Sequence, residues 1–374
     1  MTSRFRRAGL GLLAIAALVG LIVGVVVLVG VLRPSGIPET PVDQAADETT
    51  FACPSPCDRY AIAFAGDTMI GSAASKRIRK HGYEYVFQRV PKTLARADYT
   101  IVNAEAPIST LNEQYDPDRK WSYATRPAAA KAMSDHGIDA VGFANNHTFD
   151  RGLEGIEQTW TLGPKNGLAV FGGGRDRDQA EAPLMISTPH GTVGIVGIES
   201  RTRVGHEATP EHAGTPRLRR ETVRRQYERA VAMGADWVVA YVHWGANYWN
   251  LLPNQKRFAK VFAEEGYDLV IGHGPHVIQG VGRFGTMPVV YSLGNFIFNT
   301  PGRFKHFEQP GYGLIATAYL GPDGFEGLEL DCIQADNQQT RYRVSRCKKE
   351  ERVDAFARLG GLVQVRRHLG VVTW

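Results

Sequence analysis

Five short segments place metal-ligating side chains where an apolar run stops. They are Gly66-Asp67-Thr68-Met69, Asn103-Ala104-Glu105, Asn145-Asn146-His147, His243-Trp244-Gly245 and Gly272-His273-Gly274-Pro275-His276. A short apolar run precedes four of them, as in Ala61–Ala65 and Trp237–Val242. Such runs alternate with stretches of helical periodicity, which argues for a layered α/β core. In open α/β sheets, ligands gather at the carboxyl ends of the strands. Side chains scattered over roughly 200 positions are therefore expected to converge on one sheet edge.

The pattern predicts strands near 60–66, 99–103, 138–144, 235–243, 267–272 and 288–293, with two more near 182–198. It predicts helices over 84–97, 126–136, 154–165, 217–233 and 254–265. From Gly313 the chain turns to strand-like runs at 314–320, 325–333 and 340–345, which finish one of the sheets. No internal repeat is present.

Asp67 and Glu105 each follow an apolar strand and read as metal carboxylates; taken singly, each also suits a strand-end turn or a loop. His243 ends a run of Val, Val, Ala, Tyr and Val, and its position before Trp244-Gly245 suits a ligand beside a pocket wall better than a core histidine. Carboxylates, an amide oxygen and several imidazoles together suit Zn, Mn or Fe. Asn247, Tyr248 and Trp249 are candidates for a substrate wall, as is Trp244 beside His243, although single aromatics near a site also serve as packing. Ser292-Leu293-Gly294-Asn295 lacks the G-x-S-x-G elbow of a nucleophilic serine, so Asn295 reads as a pocket or loop residue. Gly172-Gly173-Gly174-Arg175 lacks the Gly-Lys-Ser/Thr ending of a phosphate loop.

The ordered blocks GDTMIG (66–71), NAEAPI (103–108), ANNHTFDRG (144–152), HWGANY (243–248), GHGPHVIQG (272–280) and YSLGNFIF (291–298) resemble the CapA family of capsule poly-γ-glutamate synthesis proteins. That resemblance implies an α/β/β/α sandwich similar to calcineurin-like metallophosphoesterases. It implies metal ligation by Asp67, Glu105, Asn146, His243 and His276, with Glu105 in the place of a bridging Asp. His147 is implied to face the substrate and Asp150 to orient it, while Asn145 holds the turn or touches substrate. Where the family has His-Pro-His, this chain has Gly274-Pro275-His276. Adjacent residues of an extended strand point to opposite faces. His273 therefore replaces the missing imidazole only if Gly272 and Gly274 permit a bulge or tight turn. The expectation is one firmly held divalent ion and a depleted second position.

Residues 8–32 carry no charged side chain and are long enough to cross a bilayer, which takes about 20 residues. Arg4, Arg6 and Arg7 in the tail 1–7 precede this run, which orients it as a signal anchor with the rest outside the cell membrane. Residues 33–58 read as a polar stalk and 59–374 as the folded domain. In an oxidising compartment Cys53 and Cys57, and Cys332 and Cys347, suit two local bridges; four-cysteine zinc binding is the alternative. A net charge of +5, part of it beside the membrane run, argues against nucleic acid. The resemblance implies an anionic polymer such as poly-γ-glutamate, and other membrane capsule-synthesis proteins, as partners. Two functions follow: a metal-dependent hydrolase of a phosphoester or γ-glutamyl amide, or a non-catalytic polymer-binding scaffold.

Overall fold

Alternate residues of the first apolar run face opposite layers. In the computed structural model, which describes residues 58–373, Ile62 and Phe64 of β1 (Tyr60–Met69) join one core cluster and Ala63 and Ala65 another. This is the period-2 alternation of a strand buried on both faces. β2 (Tyr99–Ala104), β3 (Ala140–Gly142) and β4 (Ala169–Phe171) continue from β1 as parallel neighbours.

The second sheet is built from β5 (Leu184–Thr188), β6 (Gly191–Glu199), β7 (Trp237–His243), β8 (Leu269–His273), β9 (Ile278–Phe284) and β10 (Met287–Leu293). Its order is β5-β6-β7-β8-β10-β9, with β6, β7, β8 and β10 parallel and the two edges antiparallel. β11 (Asn295–Phe298) returns the chain to the first sheet beside β1. On the side of β1 away from β2, β12 (Tyr312–Gly321) and β13 (Gly324–Gln334) extend that sheet antiparallel. β14 (Ser345–Arg346), β15 (Gln364–Arg366) and β16 (Leu369–Thr373) complete it.

Between the sheets Ile62, Phe64 and Ile101 meet Val239, Tyr241 and Ile271. Fully burying one such side chain contributes roughly 1.5–3 kcal/mol. The outer face of the first sheet is covered by helices 127–135 and 152–165 through Ala129, Met133 and Ile156. Helices 220–232 and 253–265 cover the second through Val223, Phe258 and Phe262. The result is an α/β/β/α sandwich.

Two predicted elements differ. The helix expected over 84–97 is replaced by short 3-10 turns at Tyr83–Phe87 and Leu94–Arg96. Pro91 lies between them, and it disfavours helical backbone at the residue before it. The strand expected at 340–345 shrinks to β14. Asp336 caps a one-turn helix, Asn337–Thr340, and Arg341 and Tyr342 take left-handed φ of 54° and 66°. Cys332 and Cys347 are joined by a disulfide. The tail, the apolar run 8–32, most of the stalk and the Cys53–Cys57 pair lie outside the described residues. Among the described residues no helix is long and apolar enough to cross a membrane.

Candidate metal centre

Asp67 reaches the sheet edge because Gly66 lets two backbones touch. A Cβ at Gly66 would fall 1.8 Å from the carbonyl oxygen of Gly294. With glycine there, the Asp67 amide donates to that oxygen at 3.0 Å. The Asp67 carboxylate is fully buried. Its Oδ1 accepts from Asn103 Nδ2 at 2.9 Å and its Oδ2 from the Gly274 amide at 3.1 Å. Tyr241 hydroxyl donates to the Ala65 carbonyl and ties the two sheets together beside the site.

Two clusters of buried ligand atoms share this carboxylate: Asp67 with His243 and His273, and Asp67 with Glu105 and His276. His273 Nδ1 lies 3.3 Å from Asp67 Oδ1 and 3.1 Å from His243 Nδ1. His276 Nδ1 lies 3.0 Å from Asp67 Oδ2, and its Nε2 is 3.6 Å from Glu105 Oε1. Glu105 Oε1 is also 3.9 Å from His243 Nε2. Asp67 is common to both clusters, and Glu105, expected in the bridging place, lies between a histidine of each.

The expected gap at Gly274 is not present. Gly274 takes φ 105° and His276 φ 62°, so the chain turns sharply after β8. His273 and His276 thus both face Asp67, which an extended strand would forbid. Asn295 Oδ1, 2.9 Å from His276 Nδ1, holds the second imidazole in this turn. A non-glycine residue at left-handed φ costs of order 1–3 kcal/mol and clusters at functional sites.

The donor set fits a divalent metal. Glu105 Oε1 and Oε2, Asn146 Oδ1, His243 Nε2 and His273 Nε2 are buried with no hydrogen-bond partner among the protein groups. Burial pushes His243 well below its ordinary pKa, with His273 adding to the effect; burial also lowers His273 against the opposing pull of Asp67. Both shifts favour the neutral imidazole, the form that ligates. Burial and the neighbouring Asp67 push the Glu105 carboxyl well above its usual range. Burial acts the same way on Asp67, but hydrogen bonds from His273 and His276 outweigh it and hold that carboxyl well below. A divalent cation removes the conflict between the two carboxylates.

His147 follows β3 in a turn built by Asn145. Asn145 Nδ2 donates to Asn103 Oδ1 at 3.0 Å and its Oδ1 accepts from the His147 amide at 3.0 Å. Asn145 is thus a turn residue and does not line the cleft. Asp150 Oδ2 accepts a hydrogen bond from His147 Nδ1 at 2.7 Å and another from the Tyr123 amide at 2.6 Å. Arg119 forms an ion pair with Asp150 Oδ1 at 2.5 Å. Burial lowers the His147 pKa despite the Asp150 carboxylate beside it. Asn247 and Tyr248 line the cleft over the centre. Trp244 does not: it is 1% exposed, packs near Phe262, and donates from Nε1 to the Tyr291 carbonyl at 2.8 Å. As the residue after His243, it points to the opposite side of the strand. Asn295 likewise supports His276 from within the core.

The cleft has a volume of about 450 Å³ and reaches Asn146, His147 and His276. Sequence reasoning missed its basic side chains: Arg119, Lys120, Arg201, Arg203 and Arg303. Only Arg201 carried a signal, standing two residues past the end of β6, whose last stretch is the apolar run Ile195–Ile198 before Glu199. The others sit on loops or a one-turn helix without periodicity.

The profile of the family described as "Bacterial capsule synthesis protein PGA_cap" matches residues 61–300. The chain belongs to this family. It is 27% identical over 248 residues to the "Capsule biosynthesis protein CapA" of Bacillus anthracis, covering 65% of this chain and 60% of that one. It is 28% identical over 245 residues to the "PGA biosynthesis protein CapA" of Bacillus subtilis (strain 168), covering 65% and 64%. Each alignment spans less than two thirds of the relative's own length. Among solved structures, the Haemophilus influenzae NAD nucleotidase NadN is similar with a TM-score of 0.38 and 11% identity, over 80% of this chain and 55% of that one. All the paired ligand residues of this PGA_cap family member, from Asp67 to His276, fall inside the matched region.

Proposed function

We propose that this chain is a membrane-anchored, extracytoplasmic, metal-dependent hydrolase that acts on an acidic capsule polymer. The carrying observation is the pair of buried ligand clusters sharing Asp67 beneath a cleft that also exposes His147. Family membership supports the polymer, and the Cys332–Cys347 bridge supports an oxidising compartment. Residues 8–32 would hold the domain at the membrane.

Asp67, His243 and His273 would hold one ion, and Asp67, Glu105, His276 and Asn146 a second. Bound there, a divalent metal acidifies water and polarises the scissile group. The protein's own part is proton handling at His147. Asp150 fixes the Nδ1–H tautomer, so Nε2 carries the free lone pair. The lowered pKa keeps the ring neutral and able to accept. Nε2 takes the proton leaving the attacking water and returns it to the leaving group, an amine for a γ-glutamyl amide or an oxygen for a phosphoester. Arg119 balances the Asp150 charge.

The test is hydrolysis of poly-γ-glutamate and of a phosphoester by the purified full-length chain with added Mn or Zn, read by product end-group analysis. Metal-dependent cleavage lost in Asp67→Ala supports the reading. A chain that binds metal but cleaves neither substrate is a polymer-binding scaffold instead.

A further inference from the structure

The metal centre leaves most of the positive charge in the cleft unexplained. Arg119 is paired with Asp150, and Arg203 with Asp116 at 3.2 Å. Lys120, Arg201 and Arg303 have no carboxylate partner among the described residues. Arg201 donates to the Asn247 side chain. Lys120 and Arg303 both lie against the Trp121 ring, 5.4 and 4.5 Å from its centroid. Trp121 is 44% exposed, so this cation–aromatic cluster faces solvent.

The cleft continues past this cluster. A second cavity of about 320 Å³ shares Lys120, Trp121, Tyr123, Thr300 and Arg303 with the first, and its wall contains no acidic residue. The two cavities adjoin at these residues, with His147 and His276 lining the first and Trp121 on the shared wall. A lone small anion would need only the first cavity.

We propose that Lys120, Trp121 and Arg303 form a remote subsite that holds a carboxylate-bearing, extended chain beyond the metal centre. This rests on the reading of the site as one for an acidic polymer. Lys120 and Arg303 come from separate segments and meet at one ring, Trp121, so the subsite offers two cations beside an exposed aromatic surface. That suits a chain with a carboxylate and methylene groups in each repeat unit, whereas polyphosphate offers charge but nothing apolar for the ring. The exposed part of the Trp121 ring contacts the methylene groups of the chain.

The experiment measures affinity by calorimetry on the full-length chain in chelator, so that no cleavage occurs. The probes are γ-linked glutamate oligomers of two and ten residues, and polyphosphate of matching length. The decamer is expected to bind at least about tenfold tighter than the dimer, and the gain should shrink with salt. Lys120→Gln/Arg303→Gln, and separately Trp121→Ala, should weaken the decamer by about five- to tenfold, the scale of one or two charge and cation–aromatic contacts. The dimer, held on the metal side by Arg201, should change less than about twofold, which also shows that the variants are folded. Equal loss for both oligomers, or none for the decamer, overturns the subsite. Polyphosphate with the same length gain and the same sensitivity overturns the carboxylate assignment. Adding Mn afterwards tests hydrolysis separately. Length-dependent binding without cleavage sinks the hydrolase and leaves the subsite standing.

Discussion

His273 Nδ1 and Asp67 Oδ1 lie 3.3 Å apart, although their strands belong to different sheets. The contact joins the carboxyl ends of β8 and β1 and completes a second ligand cluster. Its consequence is metal stoichiometry. The wild-type chain should bind two divalent ions per molecule, and His273→Ala one, by mass-spectrometric metal analysis after dialysis. Asp67→Ala should lose both, because both clusters use that carboxylate. One ion in the wild type, unchanged in His273→Ala, would show that His273 is a packing residue.

Restoring the family's imidazole at Gly274 should damage this protein. Gly274 has φ 105°, and a Cβ there would lie 2.9 Å from the Trp244 carbonyl and 3.1 Å from the His243 ring. Gly274→His therefore pays left-handed strain and crowds a ligand at once. A loss of about 2 kcal/mol or more in urea unfolding is expected, with metal content lowered. Raised metal content at unchanged stability would mean that the turn relaxes readily.

Much of the site was legible because a strand is a simple object. Period-2 apolar runs stop at Asp67, Glu105, Asn146 and His243, and parallel topology brings those ends together. The turn at Gly274 was not legible, since an isolated glycine does not reveal its φ. Trp244 was misread, although alternation past His243 places it in the outer core with Phe262. The helix over 84–97 failed because Pro91 breaks a run that otherwise looks helical. Lys120, Trp121 and Arg303 carried no signal at all, because loops bring them together only in three dimensions.

Glu199, the β6 partner of His243, offers a pH test at a residue that belongs to neither ligand cluster. It is buried, accepts from Thr215 at 2.6 Å, and burial raises its pKa from 4.5 to about 7 against hydrogen bonds from Thr215 and Thr202. Below pH 4.5 both folded and unfolded forms hold the proton, and stability is undiminished. As pH rises towards 7 the unfolded chain releases it first, so stability falls. At about 1.4 kcal/mol per pH unit the loss is roughly 3 kcal/mol. Glu199→Gln cannot ionise. The stability difference, variant minus wild type, should grow between pH 4.5 and 7 and then level off. A difference that stays constant with pH would place the Glu199 pKa near its ordinary value.

His147 and Asp67 should separate chemistry from metal. His147 Nδ1 is taken up by Asp150, and neither ligand cluster includes His147. Its removal deletes the proton carrier without deleting a carboxylate that attracts the ion. General acid–base groups contribute about 10²–10⁴-fold in rate. His147→Ala should therefore lower kcat by that order with metal content at the wild-type level. Asp150→Asn should also slow the reaction, because the imidazole loses its fixed tautomer and the buried Arg119 loses its partner. It should destabilise the fold by about 3 kcal/mol besides, as breaking a buried ion pair does. Asp67→Ala should remove metal and rate together. Two measurements on each variant, metal per chain and kcat, thus distinguish the roles. If His147→Ala loses metal in step with rate, the imidazole ligates and the proton-transfer role falls. If it keeps both metal and rate, proton transfer runs through another group.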